Sequence, residues 1–91
     1  MKFEWNPDKA TLNFEKHGVS FQEAAIVFND PLSITFPDPD HSIAESRYVI
    51  IGLSSFGQLL VVAHTDRQEN IRIISARKAT RQEKRFYEQG S

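Results

Sequence analysis

Cysteine is absent from the chain, which excludes disulfides and thiolate metal sites. Long apolar runs are missing too, since none approaches the roughly 18 residues that a membrane-spanning helix needs, and no membrane span is expected. Met1-Lys2 leads straight into a charged amphipathic stretch with no apolar core region, so no secretory signal is read and a cytoplasmic location is expected. Glycine is sparse, at four residues, and no glycine-rich phosphate loop, HExxH pair or nucleophile elbow occurs. Internal repeats and low-complexity tracts are also lacking. A large excess of either charge is absent, because eleven Lys/Arg nearly balance twelve Asp/Glu.

That balance conceals an asymmetry. Residues 1–63 hold four Lys/Arg and eight Asp/Glu, net −4, whereas residues 64–91 hold seven and four, net +3. Such a distribution can draw a polyanion to one surface, although a solvated basic helix gives the same count. The 91 residues, 40% apolar and 25% charged, are expected to form one domain spanning 1–91, with one small core.

Local signals give the order of elements. KFEW at 2–5 alternates like a short strand. Asn6-Pro7-Asp8 supplies an N-cap, a first-turn proline and an acid, so a helix starts at Pro7, carries Ala10, Phe14 and His17 on one stripe, and ends at Gly18. Ser20-Phe21-Gln22-Glu23 has capping-box form and opens a second helix whose buried face is Phe21, Ala24, Ala25 and Phe28. The pair should make a helical hairpin. Leu32 to Phe36 reads as a short extended segment, followed by a proline-rich acidic loop. Its D-P-D-H run at 38–41 has donor types suited to a hard cation, but such loops are ordinarily solvated, and no metal site is assigned. RYVIIGL (47–53), QLLVVAHT (58–65) and NIRIISAR (70–77) read as a meander of three antiparallel strands. Thr80-Arg81-Gln82-Glu83 repeats the capping-box form and opens a last helix.

Four-residue turns at SSFG and DRQE would set Leu53 opposite Gln58, Arg47 opposite His64 and His64 opposite Ile71. Arg77 then shares a face with His64, and Arg72 lies on the other. Arg72, set between isoleucines, must reach solvent, a carboxylate such as Glu45 or Glu83, or a ligand phosphate. On the last helix Arg81, Lys84 and Arg85 cluster on one side, either as a solvated face or as a phosphate track. Lys16 and His17 suit a helix C-terminus, where cations meet the negative end of the dipole. His64 in its strand is either a packed histidine or a general base.

Three blocks make the chain recognisable: F-E-W-N-x-x-K-A-x-x-N-x-x-K-H-G-V-S-F-x-E-A at 3–24, E-x-R-Y-x-x-x-G at 45–52 and R-I-I-S-A-R-K-A-T-x-x-E at 72–83. Together, and in this order, they closely resemble the BrnT toxins of bacterial type II toxin–antitoxin systems. The resemblance implies an α+β, RelE-like β-α-α-β-β-β-α fold with an antiparallel sheet, an N-terminal helical hairpin and a short basic C-terminal helix. It also implies a growth-inhibiting endoribonuclease, restrained by a BrnA-like ribbon-helix-helix antitoxin, whose complex reaches operator DNA through the antitoxin.

A metal-free, cofactor-free ribonuclease of this kind would use the RNA 2′-OH as nucleophile, with a proton acceptor, a donor for the leaving oxygen, and cations for the phosphorane-like transition state. Arg72 and Arg77 are the first candidates for the cations, and His64, Glu45 and Tyr87 are candidates for proton transfer. Arg67, Lys78, Arg81, Lys84 and Arg85, with Lys16 and His17, are candidates for holding RNA. The competing reading is a non-catalytic toxin-fold module in an autorepressor complex, its arginines pairing with antitoxin carboxylates.

Overall fold

A computed structural model of the chain describes residues 1–40 and 46–90. His41 and Glu45 lie outside the described residues. The order is β1 (Lys2–Glu4), α1 (Pro7–His17), α2 (Phe21–Ile26) running into a 3-10 turn (Val27–Asn29), β2 (Ile34–Pro37), β3 (Arg47–Leu53), β4 (Leu59–Arg67), β5 (Asn70–Lys78) and α3 (Arg81–Glu88).

Side-chain caps explain where the helices begin. Asn6 Oδ1 accepts hydrogen bonds from the N–H groups of Asp8 and Lys9 at 2.8 and 3.2 Å, and Ser20 Oγ accepts from Glu23 N–H at 3.0 Å. Gly18 ends α1 at φ 71°, where a side chain would be strained, and its N–H reaches Phe14 O at 2.8 Å. At α3 the capping box is complete, with Thr80 Oγ1 accepting from Glu83 N–H and Glu83 Oε1 accepting from Thr80 N–H.

The strands make one sheet in the order β1-β5-β4-β3-β2. β2 through β5 pair antiparallel, but β1 lies parallel to β5, with Phe3 beside Ile71 and Glu4 beside Arg72. The sheet is therefore mixed and five-stranded, not the antiparallel sheet that the resemblance implies, although the β3–β4–β5 meander read from the pattern is antiparallel. α1 and α2 carry the chain across one face before it returns through the meander, so β5 arrives alongside β1 in the same direction.

That helical side is the inner face. α1 and α2 pack against β5, and the core joins Val19, Phe21, Ala24 and Val27 to Ile50, Leu60, Val62, Ile73 and Ala76. Gly52 lies where the 3-10 turn meets β3, and a Cβ there would come within 2.7 Å of Val27 Cγ1. On the outer face Ile51, Leu59 and Val61 are covered by Ala79 and by Tyr87 of α3.

The inward row of α1 also differs from expectation. Phe14 is 56% exposed, and buried Asn13 takes the position between Ala10 and His17. Beyond the end of β1 the backbone of β5 has no strand neighbour, and the Asn13 amide supplies one. Its Nδ2 donates to Ala76 O at 2.8 Å and Val19 O at 3.0 Å, while its Oδ1 accepts from Ala76 N–H at 3.1 Å. A polar side chain turned inward satisfies backbone groups that would otherwise be buried without partners.

Candidate functional site

Strict alternation along β5 would put Arg72 and Arg77, five residues apart, on opposite faces. Ala63 pairs with Ser75 and His64 with Ile73, so Ile74 is an extra residue, a β-bulge. The insertion resets the parity. Arg72 lies opposite Thr65 and Arg77 opposite Val61, so both arginines project from the outer face, while Ile73 and Ala76 stay in the inner core. The registers differ from the predicted ones because the β4–β5 connection is a tight Gln68-Glu69 turn, with Gln68 at φ 55°, and the β3–β4 loop is five residues long. Leu53 therefore meets Leu59, and Arg47 meets Thr65.

Near the β4–β5 turn, register places Lys2, Arg47, Arg67 and Arg72 on this outer face, with Glu4 beside Arg72 and Asp38 beside Arg47 as carboxylates. Arg72 Nη1 donates to Glu4 Oε2 at 2.8 Å, and Asn70 Nδ2 donates to Oε1 at 3.0 Å. The hydrogen bond from Asn70 and that from Arg72 hold the Glu4 carboxyl below its ordinary range. Toward α3, Arg77 makes a two-pronged pair with Glu83 at 2.8 and 2.9 Å. The guanidinium lowers the Glu83 pKa to about 2 despite partial burial, and the Arg77 pKa is raised in turn. Between these ends small side chains pave the sheet. Ala63, Ser75 and Val49 floor a hollow of about 290 Å³, walled by Phe36, Asp38, Asp40, Arg77 and Glu83. At about 3.3 Å per residue, shortened by the bulge, the two arginines stand roughly 14 Å apart along the strand.

His64, Tyr87, Lys16 and His17 do not line this hollow. His64 is 5% exposed on the inner face, its ring edge-on to Phe28 at 4.8 Å and tilted against Tyr48 at 5.9 Å. Burial depresses its pKa, and among the described residues its Nδ1 has no hydrogen-bond partner. Tyr87 donates to Asp30 Oδ2 at 2.6 Å, a carboxylate that also accepts from the N–H groups of Leu53 and Leu32. Burial opposes the Asp30 charge, but these three hydrogen bonds outweigh it and lower its pKa, and the bond to Asp30 pushes the Tyr87 phenol up to about 12. Lys16 and His17 end α1, on the inner side of the sheet. Arg81, Lys84 and Arg85 are exposed on α3, and Lys78 and Lys84 border a second hollow of about 560 Å³ that also touches Tyr87. Among the described residues no group of three or more His, Cys, Asp or Glu is placed to hold a metal ion.

A family model described as the ribonuclease toxin, BrnT, of type II toxin–antitoxin systems matches residues 5–83. The chain belongs to the BrnT family. The family is one of ribonuclease toxins, and a type II system implies an antitoxin partner. The BrnT fold is also seen in a solved relative, the Brucella abortus ribonuclease toxin BrnT at 1.1 Å resolution. It superposes with a TM-score of 0.69 at 24% identity, over 89% of this chain and 99% of that one. No curated protein matches the chain. No helix of this BrnT-family chain is long and apolar enough to cross a membrane among the described residues.

Sequence reasoning about this BrnT-family chain passed over Arg47 and Lys2 as site residues. Both stand on the outer face beside the turn that carries Arg67, at positions where sheet register, not proximity along the chain, does the grouping. Asp30, just after the 3-10 turn, is likewise not among the residues that the sequence singles out. Its role in tying α3 to β3 has no signal in the sequence, because its partners are 23 and 57 residues away.

Proposed function

We propose that the chain is an endoribonuclease toxin, one RelE-like domain acting in the cytoplasm, that cleaves RNA without a metal cofactor and is restrained by a BrnA-like ribbon-helix-helix antitoxin. The observation that carries this reading is the bulge at Ile74, which brings Arg72 and Arg77 to one exposed sheet face with a floor of small residues between them. A single RNA strand laid along that floor meets cations at both ends, and the exposed α3 cations extend the path. In the reaction the 2′-oxygen loses its proton and bonds to phosphorus, and the bond to the 5′-oxygen breaks as that oxygen takes up a proton. The products are a 2′,3′-cyclic phosphate and a 5′-hydroxyl. Arginine suits the extra charge on the phosphoryl oxygens because its planar fork matches them. His64, beneath the sheet, and Tyr87, engaged with Asp30, are not placed to carry protons on this face, so the reading rests on its cations. Antitoxin bound over the outer face would exclude RNA, and the complex would reach operator DNA through the antitoxin.

The second reading, a non-catalytic module in an autorepressor complex, is favoured by one observation: both guanidiniums already have carboxylate partners. Purified protein incubated with RNA in the presence of a chelator separates the two. Products ending in 2′,3′-cyclic phosphate, lost in Arg72→Ala, support the enzyme. Intact RNA together with tight antitoxin binding supports the module, and wild-type cleavage by both Arg72→Ala and Arg77→Ala rejects the roles given to those arginines.

A further inference from the structure

Arg47 is the one guanidinium that is half-buried on the outer face yet makes no side-chain hydrogen bond or ion pair among the described residues, and its Nε is buried without a partner. Burying part of a cation without an anion is costly, so such a group is ordinarily neutralised by something. The sheet register names its neighbours. Arg47 lies opposite Thr65 on one side of β4, and Arg72 lies opposite the same Thr65 on the other. Two strand spacings of about 4.8 Å put the two arginines about 10 Å apart, close enough for both head groups to converge above Thr65. Thr65 is itself buried, with its hydroxyl donating to Ser46 O at 2.6 Å, which gives the row a fixed centre. Arg72 commits only Nη1 to Glu4, which leaves other N–H donors of its guanidinium for a second acceptor. With Lys2 and Arg67 on the same face, four cations stand against two described carboxylates, Glu4 and, beside Arg47 on the β2 side, Asp38, whose N–H reaches Arg47 O at 2.9 Å, and the remaining local excess is one that an anion relieves.

We propose that Arg47 and Arg72, bridged by Thr65, form a phosphate-binding site that holds one backbone phosphodiester of an RNA strand. This site deepens the ribonuclease reading and rests on it for the identity of the ligand. The chemistry it selects is a tetrahedral oxyanion shared between two planar forks, one from β3 and one from β5.

Two measurements test it. Inorganic phosphate is titrated into the wild-type protein while the arginine Nε–Hε resonances are followed by NMR. Those of Arg47 and Arg72 are expected to move together with one affinity, and the Arg47 response is expected to weaken in Arg72→Ala. Binding of a non-cleavable 2′-O-methyl RNA strand is then measured against salt. Arg47→Ala is expected to weaken it about tenfold at low salt and to reduce the slope of log affinity against log salt by about 0.7. Arg47→Met keeps an apolar stem in place, so a purely packing role would leave its RNA binding at the wild-type level, whereas loss of the phosphate contact gives the same deficit as Arg47→Ala. An Arg47 resonance insensitive to phosphate, or unchanged salt slopes in both variants of an RNA-binding protein, overturns the site. A phosphate response at Arg47 in a protein that binds no RNA supports the anion site and rejects RNA as its ligand, so the two failures are told apart.

Discussion

Replacing Asn13 tests how the fold is held at the open edge of β5. The Asn13→Ala protein loses three hydrogen bonds of 2.8, 3.0 and 3.1 Å, and these leave Ala76 N–H and two carbonyls without their side-chain partner. A buried donor stripped of its acceptor costs about 1–3 kcal/mol, and carbonyls with a second lone pair cost less, so the sum is about 2–4 kcal/mol. For a domain of this size the whole stability is on the order of 5–14 kcal/mol, and the melting temperature should fall by roughly 10–25 °C. Asn13→Asp is the more discriminating change. Its carboxylate still accepts from Ala76 N–H but faces Ala76 O and Val19 O, which repel it, so its pKa is raised in the folded state. A raised carboxyl pKa destabilises above the unfolded value near 4, and the penalty shrinks as pH falls and the group is protonated. Urea denaturation followed by the fluorescence of the single tryptophan, Trp5, which packs edge-on to Phe21 at 5.9 Å, reports both variants. A loss under 0.5 kcal/mol in Asn13→Ala, together with equal stability of Asn13→Asp at pH 5 and pH 7 relative to wild type, would show that the amide is not the surrogate strand described above.

Three further outcomes follow from the structure. Gly52→Ala must push Val27 Cγ1 from 2.7 Å and should cost about 1–3 kcal/mol by overpacking, with Val27→Ala in the same chain recovering part of the loss in urea denaturation. Tyr87→Phe removes the bond to Asp30 and should lower stability by about 1–2 kcal/mol. Because the folded phenol titrates at about 12, above its usual 10, that stabilisation is complete below pH 10 and lost as pH rises through 12, which ultraviolet absorbance of the tyrosinate measures directly. Glu83 behaves in the opposite sense. Its folded pKa of about 2 lies below the usual 4.5, so its contribution is present above pH 4.5 and lost as pH falls toward 2. NMR titration of its carboxyl carbon should show that midpoint, moving upward in Arg77→Gln, and the pair's exposure limits its worth to about 1 kcal/mol or less.

Much of the fold was legible because its signals are local. The caps at Asn6, Ser20 and Thr80 and the left-handed Gly18 depend on residues a few positions apart, and the structure has each of them. The β-branched runs marked β3, β4 and β5 for the same reason. What escaped depends on sheet neighbours far away in sequence. The parallel pairing of β1 with β5 joins residues 68 apart, and nothing in KFEW announces a direction. The Ile74 bulge has no residue signature either, since an apolar I-I-S run reads equally well in either register, and one extra residue decides which arginines share a face. Arg47, which the pattern sets opposite His64, is not legible as a site residue, because its neighbour across Thr65, Arg72, is 25 residues away.

The two ion pairs bear unequally on the proposed reaction. Arg72 gives one hydrogen bond to Glu4 from a side chain about a third exposed, so a phosphate can share the guanidinium without breaking that pair. Arg77 gives both Nη groups to Glu83, whose Oε1 also closes the capping box of α3. Removing Arg77 therefore disturbs the start of the helix as well as the charge beside the hollow, and loss of activity in Arg77→Ala has two causes. Arg72 belongs to no helix cap, and its loss leaves Glu4 exposed and still bonded to Asn70. A defect in Arg72→Ala with α3 intact by circular dichroism thus reports on the outer face itself. The salt dependence of RNA binding should fall in Arg72→Ala, and Arg77→Lys, which keeps a charge but not the fork, should separate the electrostatic part of Arg77 from its structural part.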